Sequence, residues 1–182
     1  MFSARPASPA GSGPDPVPVS ALEIGEWSDF FVATAGASAA LAGLVFVAIS
    51  INVERIIGLE GVAELGLITL LLLIGVLIVS MFGLIPGQSE HALGIELLIQ
   101  SLLWSAATAH FANRSMAGVG EGEGTLTSRL VLPLLGTVPY VVGAVLLVAD
   151  AGAGMYWIFA GMAGAIIAAV LNAWVLLVEI LR

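Results

Sequence analysis

The chain has 182 residues, of which 59% are hydrophobic and 10% are charged, whereas a soluble domain has about 25% charged residues. Its net charge is −8 and its five basic residues are all arginine, so nucleic-acid binding, which needs clustered positive charge, is not expected. The chain has no cysteine and only two histidines. Thiol chemistry, disulfides and Cys-ligated metal are excluded, and neither a metal site nor a cofactor is expected.

The first 28 residues differ in composition from the rest of the chain. Residues 1–20 are rich in proline, glycine, serine and alanine, a composition that buries too little apolar surface to offset chain entropy. We expect a disordered tail that ends in a short interfacial approach, with Trp27 at headgroup level. No apolar segment follows a basic start, so a secretory signal is not expected. The predicted division is a tail over 1–28 and a membrane domain over 29–182.

Five long apolar stretches make up the predicted membrane domain. They cover about 30–51, 65–85, 93–112, 130–149 and 155–180. About 20 residues at about 1.5 Å rise per residue span the ~30 Å hydrocarbon core of a lipid bilayer. The sequence therefore predicts an all-α integral membrane bundle of five transmembrane helices. The fourth stretch contains Pro133 and Pro139, which predict a kink.

The arginines indicate an orientation. Arg55 lies in the first loop, Arg114 and Arg129 lie in the third, and Arg182 ends the chain, whereas the second and fourth loops contain none. The positive-inside rule then places the N-terminus outside and the C-terminus in the cytoplasm. Because the two outer loops are short, we expect the second and third helices, and the fourth and fifth, to be antiparallel neighbours.

Small residues at helical spacing predict where helices pack closely in lipid. The first stretch carries such a stripe at Gly36, Ala40, Gly43 and Val47, and the last carries one at Gly161, Ala165, Ala168 and Asn172. We expect both stripes in the bundle centre or at an oligomer interface. A pore lined by small side chains is an alternative. The second stretch is uniformly large and aliphatic, which predicts a lipid-facing helix.

Polar side chains within the spans are the candidate functional residues, since ionisable groups in a bilayer are costly and usually face protein or water. They are Glu96, Gln100, His110, Asn172 and Glu179. One interpretation is a cation or proton path between two acidic layers, in which histidine titrates near neutrality. The other is that these groups lie near the span ends and reach the headgroups or nearby arginines.

Enzymatic motifs are absent from the sequence. It contains no HExxH, GxSxG, GxxxxGK[ST] or CxxC pattern. Ser105 and His110 lie five residues apart on one predicted helix, so they point about 140° away from each other and form no dyad. An enzyme is the third-ranked possibility.

Two resemblances bear on the function. Residues 36–55, GASAALAGLVFVAISINVER, together with LIPGQ at 84–88, resemble a group of small uncharacterised bacterial multi-pass integral membrane proteins. This resemblance implies a multi-pass fold in the bacterial inner membrane and no particular activity. Residues 38–47 are similar to the pore helix of Orai calcium channels, which implies a homo-oligomeric channel. Those channels have four spans and an acid at the pore mouth, whereas the nearest acid here, Glu54, follows the span.

The sequence thus predicts a non-enzymatic multi-pass membrane protein that acts through helix–helix contacts with itself, as a homo-oligomer, or with a membrane-protein partner. The alternative is an oligomeric cation or proton channel or transporter that uses the intramembrane carboxylates. The identity of the partner, ion or substrate is not encoded in any motif.

Overall fold

A computed structural model describes residues 24–59, 61–117 and 125–181 of the chain, with side chains described for 24–59, 61–111 and 137–178. Over these residues every regular element is a helix, and no strand occurs. The helices are α1 Ser28–Ile51, α2 Val53–Ile57, α3 Val62–Gly83, α4 Glu90–Ala117, α5 Thr125–Val148 and α6 Gly154–Leu181. The predicted all-α class is confirmed.

Among the described residues, four helices are long and apolar enough to cross a membrane: α1, α3, α4 over Glu90–Phe111 and α6 over Gly154–Val178. Helix α5 has 24 residues and continues without a break through Pro133 and Pro139. The side chains of α5 are described only from Thr137, and the apolar segment Thr137–Val148 is shorter than a span. The fifth span stays a prediction, and so does the disordered tail, since residues 1–23 lie outside the described part of the chain.

Helices α3, α4, α5 and α6 form a ring in which each helix packs against the next and α6 returns to α3. Helix α1 lies outside this ring and packs on α3. The α3–α4 and α5–α6 pairs are neighbours, as the short outer loops predict. The interior contains fully buried side chains from three of the ring helices, among them Leu73, Val76, Leu97 and Met162.

The prediction that the second apolar stretch faces lipid is wrong. Helix α3 has neighbours on three sides, α1, α4 and α6, and half of its span is buried, the largest share among the four candidate spans. A stripe of small, polar and aliphatic residues, spaced alternately by three and four positions, runs along its buried side. Its members are Gly66, Thr69, Leu73, Val76, Ser80 and Gly83. Because the surrounding leucines suit lipid and protein equally well, the overall hydrophobicity of this stretch does not reveal its burial.

Helix α1 is attached to α3 through both packing and a hydrogen bond. The hydroxyl oxygens of Thr34 and Ser80 lie 3.0 Å apart. The ring of Phe31 is fully buried. It occupies the space that a side chain at position 83 would fill, so this contact requires a glycine at position 83. The two helices therefore pack closely at the end of α1 near Phe31.

An aromatic cluster joins the beginning of α1 to the beginning of α6. Trp27 stands edge-on to Tyr156 with ring centroids 5.4 Å apart, and Phe30 lies 5.4 Å from Phe159. Such pairs stabilise a contact by about 0.5–1.5 kcal/mol beyond the area they bury. The cluster fixes one end of α1 relative to the ring.

Glycines bring α4, α5 and α6 together at the end of the bundle where the α5–α6 loop lies. A Cβ atom added to Gly94 would lie 2.9 Å from Leu147 and Val148, and one added to Gly154 would lie 2.6 Å from Leu147. The loop itself turns through Asp150 and Gly152, both with positive φ. The close packing of α4, α5 and α6 at this end thus depends on glycines.

Candidate functional site

A small cavity, apolar over most of its surface but bordered by several polar side chains, lies between the four helices of the ring. It offers about 20 Å³ to the centre of a water-sized sphere. Its polar wall consists of Gln100, Ser101, Trp104, Thr108, Thr137 and Tyr140, and the remaining wall is apolar and comes mainly from α3. Gln100 lies midway along Glu90–Phe111, about 15 Å from either end of that span at about 1.5 Å per residue. The cavity is therefore at the middle depth of the bundle.

The α4 wall of the cavity is built from one face of the helix. Gln100, Trp104 and Thr108 follow one another at four-residue intervals, so their side chains line the same side. The amide nitrogen of Gln100 donates to the carbonyl oxygen of Gly75 at 3.0 Å. The indole nitrogen of Trp104 donates to the carbonyl oxygen of Leu71 at 2.8 Å, one turn further along α3. These two bonds tie α4 to the backbone of α3.

Gly75 makes this approach possible. A Cβ atom at this position would lie 3.0 Å from both Cδ1 and Nε1 of Trp104, closer than nearly all real Cβ contacts. The indole ring therefore rests against the bare backbone of α3. A side chain at position 75 would push α4 away and lengthen the hydrogen bonds that Gln100 and Trp104 make.

Two buried polar atoms at the cavity have no hydrogen-bond partner within the described part of the chain. They are the side-chain oxygen Oε1 of Gln100 and the hydroxyl of Tyr140. The two residues are only 7% and 8% exposed. Unpaired polar atoms in such a position are unfavourable by about 1–3 kcal/mol each. Oε1 of Gln100 can therefore accept a hydrogen bond from a small polar molecule, and the hydroxyl of Tyr140 can donate one to it.

Helix α6 supplies the space for the Tyr140 ring. A Cβ atom at Gly161 would lie 3.1 Å from the ring of Tyr140, and Ala165 forms part of the cavity wall. Gly161, Ala165 and Ala168 are all buried. The small-residue stripe of α6 thus lies in the interior of the ring, against α5 and the cavity.

The small-residue stripe of α1 has the opposite environment. Gly36, Ala40 and Gly43 are exposed, and a Cβ atom at Gly36 or Gly43 would meet no atom within 4 Å. Thr34 faces Ser80 of α3. Gly36 lies two residues further on and so points about 160° away from that contact. The stripe is on the side of α1 that faces away from the ring.

The polar residues singled out in the sequence do not form one cluster. Gln100 lies at the cavity, and Asn172 is buried on α6. His110 is exposed on the surface of α4. Glu179 belongs to α6, but its side chain lies outside the described set.

Glu96 is engaged with the loop that precedes α4. Its Oε2 accepts a hydrogen bond of 2.6 Å from the amide nitrogen of Gln88, and the carboxylate is half-buried. The other side-chain atom of Gln88, Oε1, is buried without a partner among the described residues. Glu96 therefore anchors this loop over the first turns of α4.

Within the described residues, no group of three or more His, Asp or Glu side chains lies close enough together to hold a metal ion. The polar lining of the cavity contains hydroxyl, amide and indole groups and no charged side chain. The site is suited to hydrogen bonding.

Sequence reasoning missed Tyr140 and Trp104 as site residues. The signal for Trp104 was present, because it follows Gln100 by four residues and faces Gly75 on the neighbouring antiparallel helix. Tyr140 gave no comparable signal. It comes directly after Pro139, and the packing of α5 in the ring brings its hydroxyl to the cavity.

The chain was compared with protein-family models, with curated proteins and with solved structures, and it matches none of them.

Proposed function

We propose that the chain is an integral membrane protein with five spans that associates with a second copy of itself through the outer face of α1. The N-terminus would lie outside the cell and the C-terminus in the cytoplasm. The observation that carries this proposal is the position of the α1 stripe. Gly36, Ala40 and Gly43 face away from α3, and only 6% of the α1 span is buried within one chain.

Small residues on a membrane helix allow another helix to approach closely, which is the main source of helix affinity where water is absent. Gly36 and Gly43 leave open space above the backbone. The face carries no charged residue from 36 to 47. A face of this kind is complementary to itself when two copies meet about a twofold axis. These features favour a second copy over a partner of different chemistry.

The proposal also extends the membrane architecture from four helices to five. Helix α5 has 24 residues, about 36 Å at about 1.5 Å per residue, which is enough to cross a ~30 Å hydrocarbon core. An odd number of spans puts the termini on opposite sides. Arg55, exposed on α2, would then lie on the cytoplasmic side, as the positive-inside rule requires.

Crosslinking of single-cysteine variants in liposomes tests the self-association. The natural chain has no cysteine, so Gly36→Cys, Ala40→Cys and Gly43→Cys each introduce one reactive thiol on the stripe. Ala37→Cys is the matched control, because Ala37 is equally exposed and lies about 100° around the helix from Gly36. We expect crosslinked dimers from the stripe positions and far fewer from Ala37→Cys.

A loss-of-contact variant completes this test. Gly36→Leu should lower the dimer fraction at least ten-fold, and Ala37→Leu should leave it unchanged. A protein that remains monomeric at every protein-to-lipid ratio would show that self-association is wrong. If Gly36→Leu instead abolished binding to a different membrane protein, the same face would serve a heterologous contact.

A second candidate function is an oligomeric cation or proton channel that uses Glu96, Gln100, His110, Asn172 and Glu179. The cavity at middle depth is the observation in its favour, since Oε1 of Gln100 has no hydrogen-bond partner there among the described residues. Proton and cation flux into liposomes separates the two proposals. If the protein is a channel, Glu96→Gln should remove the flux, and Glu26→Gln, at an exposed position before α1, should leave it in place. A contact protein predicts no flux in any of the three.

A further inference from the structure

We propose that the cavity between α3, α4, α5 and α6 binds one ordered water molecule that bridges Gln100 and Tyr140. The site does not depend on the proposed self-association, because it lies inside the ring and α1 lies outside it. The water would be a permanent part of the fold at the middle depth of the bundle.

The cavity is large enough for a water. About 20 Å³ is available to the centre of a water-sized sphere, and the smallest cavity that holds a water is one that such a sphere just fills, with a volume of about 10–15 Å³. A water molecule can therefore enter the space between Gln100 and Tyr140, both of which line the cavity.

The orientation of the Gln100 amide is fixed by its other partner. Its nitrogen donates to the carbonyl oxygen of Gly75 at 3.0 Å. Exchanging nitrogen and oxygen would place two acceptors against each other, so the amide cannot be turned around. Oε1 is thus left as an acceptor without a protein donor among the described residues, and it requires a molecule that donates a hydrogen bond.

Tyr140 supplies the complementary group. Its hydroxyl can donate one hydrogen bond and has no partner in the described part of the chain. The hydroxyl of Ser101 donates to the carbonyl oxygen of Leu98 at 2.9 Å, and that of Thr108 donates to the carbonyl oxygen of Trp104 at 2.8 Å. Because their protons are used within α4, both hydroxyls present only acceptor lone pairs to other groups.

A water molecule matches this set of groups. It accepts one hydrogen bond from Tyr140, donates one to Oε1 of Gln100, and has a second proton for a hydroxyl such as Thr108. Buried waters typically make about three such bonds. A bare cation fits less well, because the described lining has no charged side chain and an uncompensated charge in an apolar interior is strongly unfavourable. Tyr140 would also be left without an acceptor.

The proposal is tested by whether one substitution, Tyr140→Phe, lowers or raises the stability of the protein. If water is bound, Tyr140→Phe removes a satisfied hydroxyl, and the folded-to-unfolded ratio should fall about two- to ten-fold. If the hydroxyl is unpartnered, the same change removes an unfavourable group, and the ratio should rise. Tyr156→Phe is the control, since Tyr156 is 67% exposed and its change should leave the ratio unaltered.

A double-mutant cycle tests whether one water bridges the two residues. In a Gln100→Leu background the water has lost its main acceptor. Tyr140→Phe should then lower the folded-to-unfolded ratio less than it does in the natural chain. Equal effects in both backgrounds would show that no molecule joins Gln100 to Tyr140. If Gln100→Leu does not fold, a high-resolution crystal structure decides instead. A water peak at about 2.5–3.2 Å from both side chains is expected, and a dry cavity overturns the proposal.

Discussion

The indole nitrogen of Trp104 lies 2.8 Å from the carbonyl oxygen of Leu71, so a side chain of α4 is bonded directly to the backbone of α3. Interhelical hydrogen bonds in membrane proteins stabilise by about 0.6 kcal/mol on average and by at most about 1.7 kcal/mol. Trp104→Phe keeps an aromatic ring but removes this donor. We expect the free energy of unfolding in mixed micelles to fall by about 1 kcal/mol. Trp174→Phe is the control, because Trp174 is 65% exposed and should have no effect of this size.

Gly75 is expected to tolerate even a methyl side chain poorly. A Cβ atom there would lie 3.0 Å from the Trp104 ring, and overpacking of this kind destabilises by about 1–3 kcal/mol. Gly75→Ala should therefore lower the free energy of unfolding by about that amount. Gly36→Ala adds the same methyl group where no atom lies within 4 Å. Equal stability of the two variants would contradict the close contact between α3 and α4.

Phe31 should contribute more to stability than any exposed aromatic residue of α1. It is fully buried and lies over Gly83. Phe31→Ala should destabilise by about 3–5 kcal/mol through the cavity it leaves. Phe46→Ala, at a position 62% exposed on the same helix, should have little effect, because lipid replaces the ring there. Thermal unfolding of both variants in the same detergent measures the difference.

Thr34 and Ser80 should be coupled energetically. Their hydroxyl oxygens lie 3.0 Å apart. The hydroxyl that donates to the other gives up its alternative bond to a carbonyl oxygen of its own helix. The coupling energy from Thr34→Val, Ser80→Ala and the double variant should therefore be near the membrane-protein average of about 0.6 kcal/mol. Additive effects would show that packing alone holds α1 to α3 at this point.

The helical class follows from the sequence because long uncharged apolar runs have one stable solution in a bilayer. The arrangement of the helices does not follow as readily. Gly66, Ser80 and Gly83 gave α3 a small-residue stripe comparable to that of α1, but the leucines between them obscured it. Lipid is as apolar as leucine, so burial in a membrane bundle leaves no contrast in hydrophobicity. The remaining sequence signals of a buried helix face are small residues and residues with hydroxyl groups.

Only part of the candidate site could be predicted from the sequence. Gln100 was found because it is a polar residue within a predicted apolar span. Glu96, a turn closer to the helix start, proved to be paired with Gln88, a contact that depends on how the preceding loop folds. Tyr140 comes to the cavity through the packing of α5 in the ring. Pairings between distant parts of a chain have no local sequence pattern to indicate them.

The closure of the ring by α6 on α3 has a consequence for how the protein is made. Helix α3 leaves the ribosome well before α6, so during synthesis its buried face must first lie against lipid or against insertion machinery. The hydroxyl of Thr69 donates to the carbonyl oxygen of Leu65 at 2.8 Å, and that of Ser80 donates to Val76 at 2.9 Å. Both donors are thus satisfied within the helix itself. Helix α3 can therefore enter the bilayer alone, without an unpaired donor, and remain there until the last helix arrives.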